Sequence, residues 1–382
     1  MLGKGRKGNF QPDGYEFFVG LDTDKRSMAV TILDCAGRHR SFRMAHDADQ
    51  LLGYMNKRYG GRKVVFCYEA GPTGYGLRDR LVEVGHPCVV TPASMVPRAP
   101  GLRVKTNRLD SVKLAECLKG GQLHSIHIPG MVYRQLRHLV SLRDTHIGQM
   151  KGFKYRIKAL LLFEGLAFPE APAGSQWSRR VIRELRQMFC SGAVGFKLNQ
   201  LLKSVEFHRQ QALESLRAIR KLCQEDPELG ESIGYIMSIP GIGWITASHL
   251  VARIGDWRHL DHVGQLAGFF GLAGSEHSTG ERVNRGPITR MGDSRLRSKL
   301  IQAAWSAIRQ DWELGSFYQR IYQRHPRDRA SRKAIVAVAR KLTTRIYVVL
   351  KERRNYQAFD PKKGDQLAPG RDSTLRRIKP QA

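Results

Sequence analysis

The strongest constraint on the fold is a series of short apolar runs near the start of the chain, separated by polar turns. Residues 16–21, 27–35 and 41–43 follow one another as strand-like segments. Residues 62–69 then form a largely apolar run, of the kind found in a buried strand. The helical patterns and one further short strand lie at 48–58, 74–84, 88–90 and 110–118. The predicted order is therefore β-β-β-α-β-α-β-α.

This order is that of the ribonuclease-H-like α/β fold, although other α/β domains share part of it. Two long basic helices, at 133–163 and 195–223, carry apolar residues at spacings of three and four, which favours an antiparallel hairpin used for packing or dimerisation. We expect five segments: a basic N-terminal arm (1–14), a ribonuclease-H-like domain (15–128), a helical, coiled-coil linker for oligomerisation (129–225), a mainly helical third domain (226–356) and a basic disordered tail (357–382).

The charge of the chain indicates a polyanionic partner. Among its 382 residues, 64 are Lys or Arg and 34 are Asp or Glu, which gives a formal net charge of +30. Nucleic acid fits best, because Lys and Arg on a folded surface release phosphate counterions on binding. A membrane partner is not expected, because no apolar run reaches the roughly 18 residues that a membrane-spanning helix needs.

The N-terminus and the cysteines indicate the compartment. The first residues are basic but lack a following apolar stretch, so we expect a cytoplasmic, nucleoid-associated protein without a secretory signal. The six cysteines are scattered without a C-x-x-C pair, which argues against disulfides and zinc, and we expect them to be core residues.

Three acidic residues lie at the ends of predicted strands or at the start of a predicted helix. Asp22 lies near the end of the first strand, Glu69 ends the fourth, and Asp110 begins a helix. Those strands are neighbours in a ribonuclease-H-like sheet, so the carboxylates would come together as ligands for Mg²⁺, or alternatively Mn²⁺. Two such ions about 4 Å apart would suit phosphoryl displacement. Taken singly, the three residues also fit a turn, a solvated strand end and a helix cap.

The motifs around these residues resemble a known family. Residues 20–22 (GLD), 68–74 (YEAGPTG) and 105–110 (KTNRLD) resemble the three N-terminal motifs of the DEDD transposases of bacterial insertion sequences, the IS110 and IS1111 group. Four later segments are similar to the C-terminal domain of that family. They are residues 239–243 (IPGIG), 266–272 (LAGFFGL), 275–280 (SEHSTG) and 288–293 (ITRMGD). The resemblance covers about residues 15 to 355.

This resemblance implies a RuvC-like nuclease domain, an oligomerising linker and a second domain with a catalytic serine. It also implies guidance by a structured bridge RNA and assembly of a homo-oligomer, a dimer or tetramer, on donor and target DNA. The serine would be Ser278, with Thr279 and Ser275 as alternatives. Where the family usually has the first Asp of Lys-Thr-Asp-x-x-Asp, this chain has Asn107, whose neutral carbonyl oxygen could still contact the metal. The asparagine fits either a natural variant of the family or an engineered inactive mutant.

Basic and glycine-rich segments are the candidate nucleic-acid contacts. Residues 239–243 have the form of a helix-hairpin-helix turn, whose backbone N–H groups could approach a phosphate; a tight turn between packed helices is the alternative. The helix at 132–163 is a second basic surface, where RNA could bind. The candidate contact residues are Lys105, Arg108, Gly241, Gly243, Arg282, Arg285, Arg290, Arg295, Arg297, Lys299, Arg332, Lys333, Arg340 and Lys341.

The sequence therefore predicts a bridge-RNA-guided DNA recombinase. Ser278 would attack a phosphodiester to form a phosphoserine-type intermediate, assisted by a metal at Asp22, Glu69, Asp110 and Asn107. Two alternatives stay open: a metal-dependent nuclease or junction resolvase in which water attacks, and a nucleic-acid-binding protein with a damaged site.

Overall fold

The computed structural model describes residues 10–97, 106–170, 176–188, 192–276, 279 and 284–357. The chain divides into two compact units, Met1–Ile128 and Pro129–Ala382. No helix within these described ranges is long and apolar enough to cross a membrane.

The first unit is a five-stranded sheet with three α-helices. In chain order its elements are β1 (Phe17–Thr23), β2 (Ser27–Asp34), β3 (His39–Ala45), α1 (Ala48–Tyr59), β4 (Val64–Glu69), α2 (Gly76–Glu83), β5 (Cys88–Thr91) and α3 (Asn107–Lys119). The strand order is β3-β2-β1-β4-β5. The first three strands are antiparallel neighbours, and β4 and β5 add in parallel to β1. The predicted mixed α/β fold is confirmed, and the sheet is consistent with the ribonuclease-H-like class.

The two faces of this sheet are covered by different helices. Alternate residues of a strand point to opposite faces. Leu21 and Tyr68 belong to a core shared with α1 and α2, whereas Phe18 and Cys67 belong to a core shared with α3. Asp22 and Glu69 have the same parity as Phe18 and Cys67, so both lie on the face that α3 covers.

Gly20 allows α3 to lie directly on β1. A Cβ atom at this position would be 2.2 Å from the carbonyl oxygen of Ser111 and 2.6 Å from the backbone nitrogen of Ala115. These distances are far inside van der Waals contact, and both atoms belong to helix backbone that cannot swing away. The glycine of the GLD motif therefore sets the height of α3 above the sheet.

The second unit is mostly helical. Its elements are α4 (Met131–Phe163), α5 (Arg179–Gln187), α6 (Gly192–Glu225), α7 (Pro227–Met237), α8 (Trp244–Ile254), α9 (Val263–Phe269), β6 (Gly274–Glu276), β7 (Arg285–Ile288), α10 (Ser294–Gln310), α11 (Trp312–Gln323) and α12 (Arg327–Glu352). Strands β6 and β7 pair as a short antiparallel ribbon, which the sequence patterns did not predict.

Helices α4 and α6 pack along each other, and two separate cores hold them. At one end, Ile157 and Leu202 pack with α5 around Val181. At the other end, Leu136 of α4 and Ile219 of α6 are part of the core built by α7 to α12. One end of the expected linker thus shares a core with the expected third domain, and both lie in one compact unit.

Five of the six cysteines are described, and all five are free. Cys67, Cys88 and Cys117 are buried, as expected for core residues, but Cys35 is exposed and the expectation is wrong for it. Cys35 lies in the turn after β2, where the chain leaves the sheet. Cys190 lies outside the described residues.

Candidate metal centre and nucleic-acid interface

The ends of β1 and β4 bring two carboxylates side by side. The parallel pairing of these strands runs in register from Phe17 opposite Val64 to Leu21 opposite Tyr68. Asp22 and Glu69 are the next residues of the two strands, and both are half-buried. In register, Arg43 pairs with Ala29, Ala29 with Asp22, and Glu69 with Thr91. We call this line of five residues across the α3 face of the sheet the acidic row.

The first turn of α3 supplies the other candidate ligands. Thr106 is the N-cap, and its hydroxyl accepts a hydrogen bond from the N–H of Leu109, which explains why the helix begins at Asn107, earlier than predicted. Asn107 and Asp110 are three residues apart, so they are neighbours on one side of the helix. The next residue, Ser111, lies 2.8 Å from the hydroxyl of Thr31 on β2. This buried contact fixes the start of α3 over the sheet.

The loop after β4 is held against the end of β1. The buried hydroxyl of Tyr68 donates to the carbonyl of Gly74 at 2.9 Å, and the hydroxyls of Thr73 and Thr23 are 3.1 Å apart. Burial raises the pKa of Tyr68, so its hydroxyl stays protonated as a donor. Gly74 has φ +69°, a backbone conformation that favours glycine. Tyr68, Thr73 and Gly74 are therefore loop anchors, a role that the motif match alone did not assign.

The side chains at this edge suit a hard divalent cation. Carboxylate and amide oxygens are its preferred ligands. The Glu69 and Asp110 carboxylates make no hydrogen bond or ion pair with any described residue, so no described side chain competes with a ligand for them. Within the part of the chain that is described, however, no three His, Cys, Asp or Glu side chains are gathered closely enough to hold a metal. The metal roles of Asp22, Glu69, Asp110 and Asn107 remain predictions.

A cleft lies at one end of the acidic row on the same face of the sheet. Its volume is about 620 Å³. It is lined by Ala29, Ser41, Phe42, Arg43, Thr106, Asn107 and Arg108. Arg43 is held there by hydrogen bonds from its guanidinium to the hydroxyl of Ser27. The cleft is lined by two cations, Arg43 at one end of the row and Arg108 on α3, and cations of this kind commonly contact a phosphate backbone.

In the second unit, the predicted nucleic-acid contacts divide into free and engaged cations. Arg290, Arg295, Arg332, Lys333 and Arg340 are exposed. Other candidates have partners within the fold. Arg297 donates to the carbonyls of Phe270 and Arg290, Lys299 lies 3.5 Å from Asp144, and Lys341 pairs with Glu313. The engaged cations hold the fold, and the exposed ones are the better candidates for phosphate contacts.

The turn between α7 and α8 is packed against α10. Gly241 has φ +86°, and a Cβ atom there would lie 2.5 Å from the backbone nitrogen of Ala307. Its N–H donates to the side chain of Gln310 at 3.0 Å. These contacts favour the tight-turn interpretation for Gly241. Gly243, the N-cap of α8, has open space around it, so the phosphate hypothesis stays available only there.

The predicted nucleophile belongs to the connection between β6 and β7. Ser278 lies outside the described residues, as do Lys105 and Arg282, and only the backbone of Arg285 is described. Of the alternatives, Ser275 donates its hydroxyl to the carbonyl of Pro287 at 2.9 Å and so links the two strands of the ribbon. Thr279 is exposed.

A buried histidine that sequence reasoning missed joins α8 to α4. The Nδ1 atom of His249 lies 2.7 Å from the carbonyl oxygen of Ile245, and Nε2 lies 2.9 Å from a carboxylate oxygen of Asp144. The two contacts fix the orientation of the ring between α8 and α4. Asp144 and His249 are 105 positions apart, so a local sequence pattern cannot predict that they pair.

A mixed sheet whose two adjacent inner strands end in carboxylates, covered by a helix that brings a third, is consistent with a DEDD-type domain of the ribonuclease-H-like class. Comparison with known proteins identifies the family. Residues 19–164 match the DEDD transposase model of IS110 type, and residues 234–319 match the transposase IS116/IS110/IS902 family. The chain belongs to this family of transposases, which confirms the predicted membership. Divalent metal use is a general feature suggested by the DEDD domain.

Individual relatives agree with that assignment. The chain is 32% identical over 306 residues to the putative transposase y4qE of Sinorhizobium fredii, covering 77% of this chain and 72% of the relative. It is 24% identical over 266 residues to the transposase for insertion sequence element IS1111A of Coxiella burnetii, covering 66% and 68%. A pilin gene-inverting protein of Moraxella bovis is 30% identical over 131 residues, 34% of this chain and 40% of that protein.

Proposed function

We propose that this transposase is a DNA recombinase that joins its own serine to DNA and uses an acidic metal site to assist the reaction. The observation that carries the proposal is the acidic row, in which Asp22 and Glu69 lie near the ends of adjacent strands on the face of the sheet that α3 covers. Support for a ligand there comes from the covered face and from the lack of any partner for the Glu69 and Asp110 carboxylates among the described residues. The positive cleft beside the row supports DNA as the substrate.

Asp22, Glu69 and Asp110 would hold Mg²⁺ or Mn²⁺, with Asn107 as a further oxygen ligand. Bound there, the cation would neutralise charge on a DNA phosphate and on the oxygens exchanged at it. Asn107 neutralises less of the cation than an aspartate would. We therefore expect Asn107→Asp to tighten metal binding, and this substitution tests whether the present site is weakened.

Ser278 would be the nucleophile. Its oxygen forms a bond to the phosphorus, the bond from phosphorus to a deoxyribose oxygen breaks, and the serine proton is transferred overall to that leaving oxygen. The phosphoserine linkage keeps the phosphodiester energy. Attack by a new deoxyribose hydroxyl reverses the step and joins a different strand, so no nucleotide cofactor is consumed.

A bridge RNA and a homo-oligomer complete the proposal. Pairing between guide RNA and DNA would select the donor and target sites, as in other guided systems. The basic α4–α6 hairpin would serve assembly or RNA contact. Sequencing of RNA that copurifies with the full chain tests this part. Recovery of random cellular RNA, with no structured RNA from beside the gene, would remove the guide from the proposal.

Covalent trapping tests the serine mechanism. The full chain, incubated with its DNA and Mn²⁺ and then denatured, should carry DNA on a peptide that contains Ser278. Ser278→Ala should abolish the adduct, whereas Ser275→Ala and Thr279→Ala should keep it. Cleavage that continues unchanged in Ser278→Ala would instead establish the alternative function, a metal-dependent nuclease in which water attacks.

A further inference from the structure

The hydroxyl of Thr91 is a buried polar group without a partner at the end of the acidic row. Thr91 is the last residue of β5, and its exposed fraction is 0%. Its Oγ1 atom makes no hydrogen bond with any residue that the structure describes. A buried hydroxyl without a partner destabilises the fold, so it needs an explanation when one persists.

Other fully buried threonines of the chain show how such hydroxyls are normally satisfied. Thr31 on β2 lies 2.8 Å from the hydroxyls of both Ser41 and Ser111. Thr343 on α12 donates to the carbonyl of Ala339 at 3.1 Å. Both residues have an exposed fraction of 0%, equal to that of Thr91. Burial is thus the same at the three positions, and Thr91 alone of the three lacks a hydrogen bond.

The position of Thr91 identifies the partner that its hydroxyl could serve. Thr91 is paired in register with Glu69, on the face of the sheet that α3 covers. The carbonyl of Thr91 accepts a 2.8 Å hydrogen bond from the N–H of Ala70, the residue that follows Glu69. The backbones of the two residues are therefore fixed side by side. In-register neighbours on one face lie within reach of each other's side chains.

Glu69 is the complementary group. Its carboxylate makes no hydrogen bond or ion pair in the described part of the chain, and a carboxylate is an acceptor that suits a lone hydroxyl donor. A hydrogen bond to one carboxylate oxygen would leave the other free and fix its direction. Groups that orient a metal-binding side chain in this way contribute strongly to metal affinity.

We propose that Thr91 is a positioning residue for the acidic site: when a divalent cation binds, the Thr91 hydroxyl would donate to one carboxylate oxygen of Glu69, a hydrogen bond that the metal-free structure does not contain, and would orient the other oxygen toward the cation. This inference rests on the proposed function, because it presumes a cation at the row. It adds a residue outside the three acidic motifs. Thr91 does not contact the cation or DNA, and it acts only through Glu69.

The test compares metal affinity with the stability of the metal-free protein. In the full chain, Thr91→Val removes the hydroxyl and keeps a β-branched side chain of similar shape, and Thr91→Ser restores the hydroxyl. We expect Thr91→Val to weaken Mn²⁺ binding, measured by titration calorimetry, about tenfold. Thr91→Ser should bind within about twofold of the natural chain on the same scale. The Tm of metal-free Thr91→Val should be equal to or above that of the natural chain.

Thr31→Val is the matched control, because it removes an equally buried hydroxyl that has partners. It should lower the metal-free Tm, which Thr91→Val should not do. Unchanged Mn²⁺ affinity in Thr91→Val would overturn the role of Thr91 and leave the metal site intact. So would a metal-free Tm of Thr91→Val that falls as far as that of Thr31→Val. Equal Mn²⁺ binding by the natural chain and Glu69→Gln would overturn the acidic site itself, and with it both proposals.

Discussion

Two acids of the second unit and one acid of the first unit differ in whether the described fold gives them a charged partner. In the second unit, Asp311 is bound by Arg345 at 2.8 Å, and Asp144 by His249 at 2.9 Å. At the acidic row of the first unit, Glu69 has no such partner among the described residues. Paired acids hold helices together, whereas a carboxylate that the fold leaves unpaired is available to a ligand. The contrast distinguishes acids that stabilise the fold from an acid that we propose binds a ligand.

Removing Arg345 should produce the largest change in stability. Arg345 and Asp311 are almost fully buried, and Arg345 also lies 2.7 Å from Glu313. Burial alone would raise the pKa of Asp311, but the hydrogen bond and charge of Arg345 hold that pKa below its ordinary value. Arg345→Met removes the shared cationic partner of Asp311 and Glu313. It should therefore lower the free energy of unfolding by about 3 to 5 kcal/mol. Denaturant unfolding measures this loss.

Arg332→Met is the control for that experiment. Arg332 is an exposed residue of the same helix, and its replacement should change stability by less than about 0.5 kcal/mol. Equal losses of unfolding free energy in the two variants would show that the buried ion-pair cluster does not stabilise the fold.

Glu69→Gln should show the reverse pattern, with activity lost and stability kept. The substitution removes a charge that the described fold leaves unpaired, so the free energy of unfolding should change by less than about 0.5 kcal/mol. Formation of the covalent DNA adduct should slow about a hundredfold, equivalent to about 3 kcal/mol in the barrier. Glu116→Gln, an exposed position on α3, should do neither. A destabilised Glu69→Gln with normal adduct formation would place Glu69 with the structural acids.

Local patterns predicted the strands that carry the row, because β1 and β4 are apolar runs that end in an acid. They did not predict the β6–β7 ribbon, since Gly274–Glu276 and Arg285–Ile288 lack an apolar alternation. Local patterns also did not show which basic residues are exposed and which are engaged within the fold. Arg345 is buried because it pairs with Asp311, which lies 34 positions away in the sequence. Such a pairing depends on how the helices pack. For the same reason, local sequence patterns cannot show that the buried Thr91 hydroxyl lacks a hydrogen bond with the described residues.

Gly20→Ala should move Asp110 of α3 away from the acidic row without altering any charge. The new Cβ would fall 2.2 Å from the carbonyl of Ser111, so α3 must move away from β1. We expect a loss of about 2 kcal/mol in unfolding free energy. Metal affinity should fall as well, because Asp110 moves with α3. Gly53→Ala, on α1 with open space around it, should be neutral or slightly stabilising. Full Mn²⁺ affinity in a destabilised Gly20→Ala would remove Asp110 from the site.

The smallest expected effect is the pH dependence of the Asp144–His249 pair. Burial by itself raises the pKa of Asp144, but the hydrogen bond and charge of His249, with Lys299 and Arg143 nearby, outweigh it and lower the pKa below the ordinary 3.8. A carboxyl whose pKa is lower in the folded state contributes stability above its unfolded pKa and loses it as the pH falls through the folded value. Asp144→Asn should therefore cost about 1 kcal/mol at pH 6, and this difference should shrink below about pH 4. Denaturant unfolding at a series of pH values measures it, and a difference that stays constant down to pH 3 would mean that the carboxylate charge contributes nothing to the link between α4 and α8.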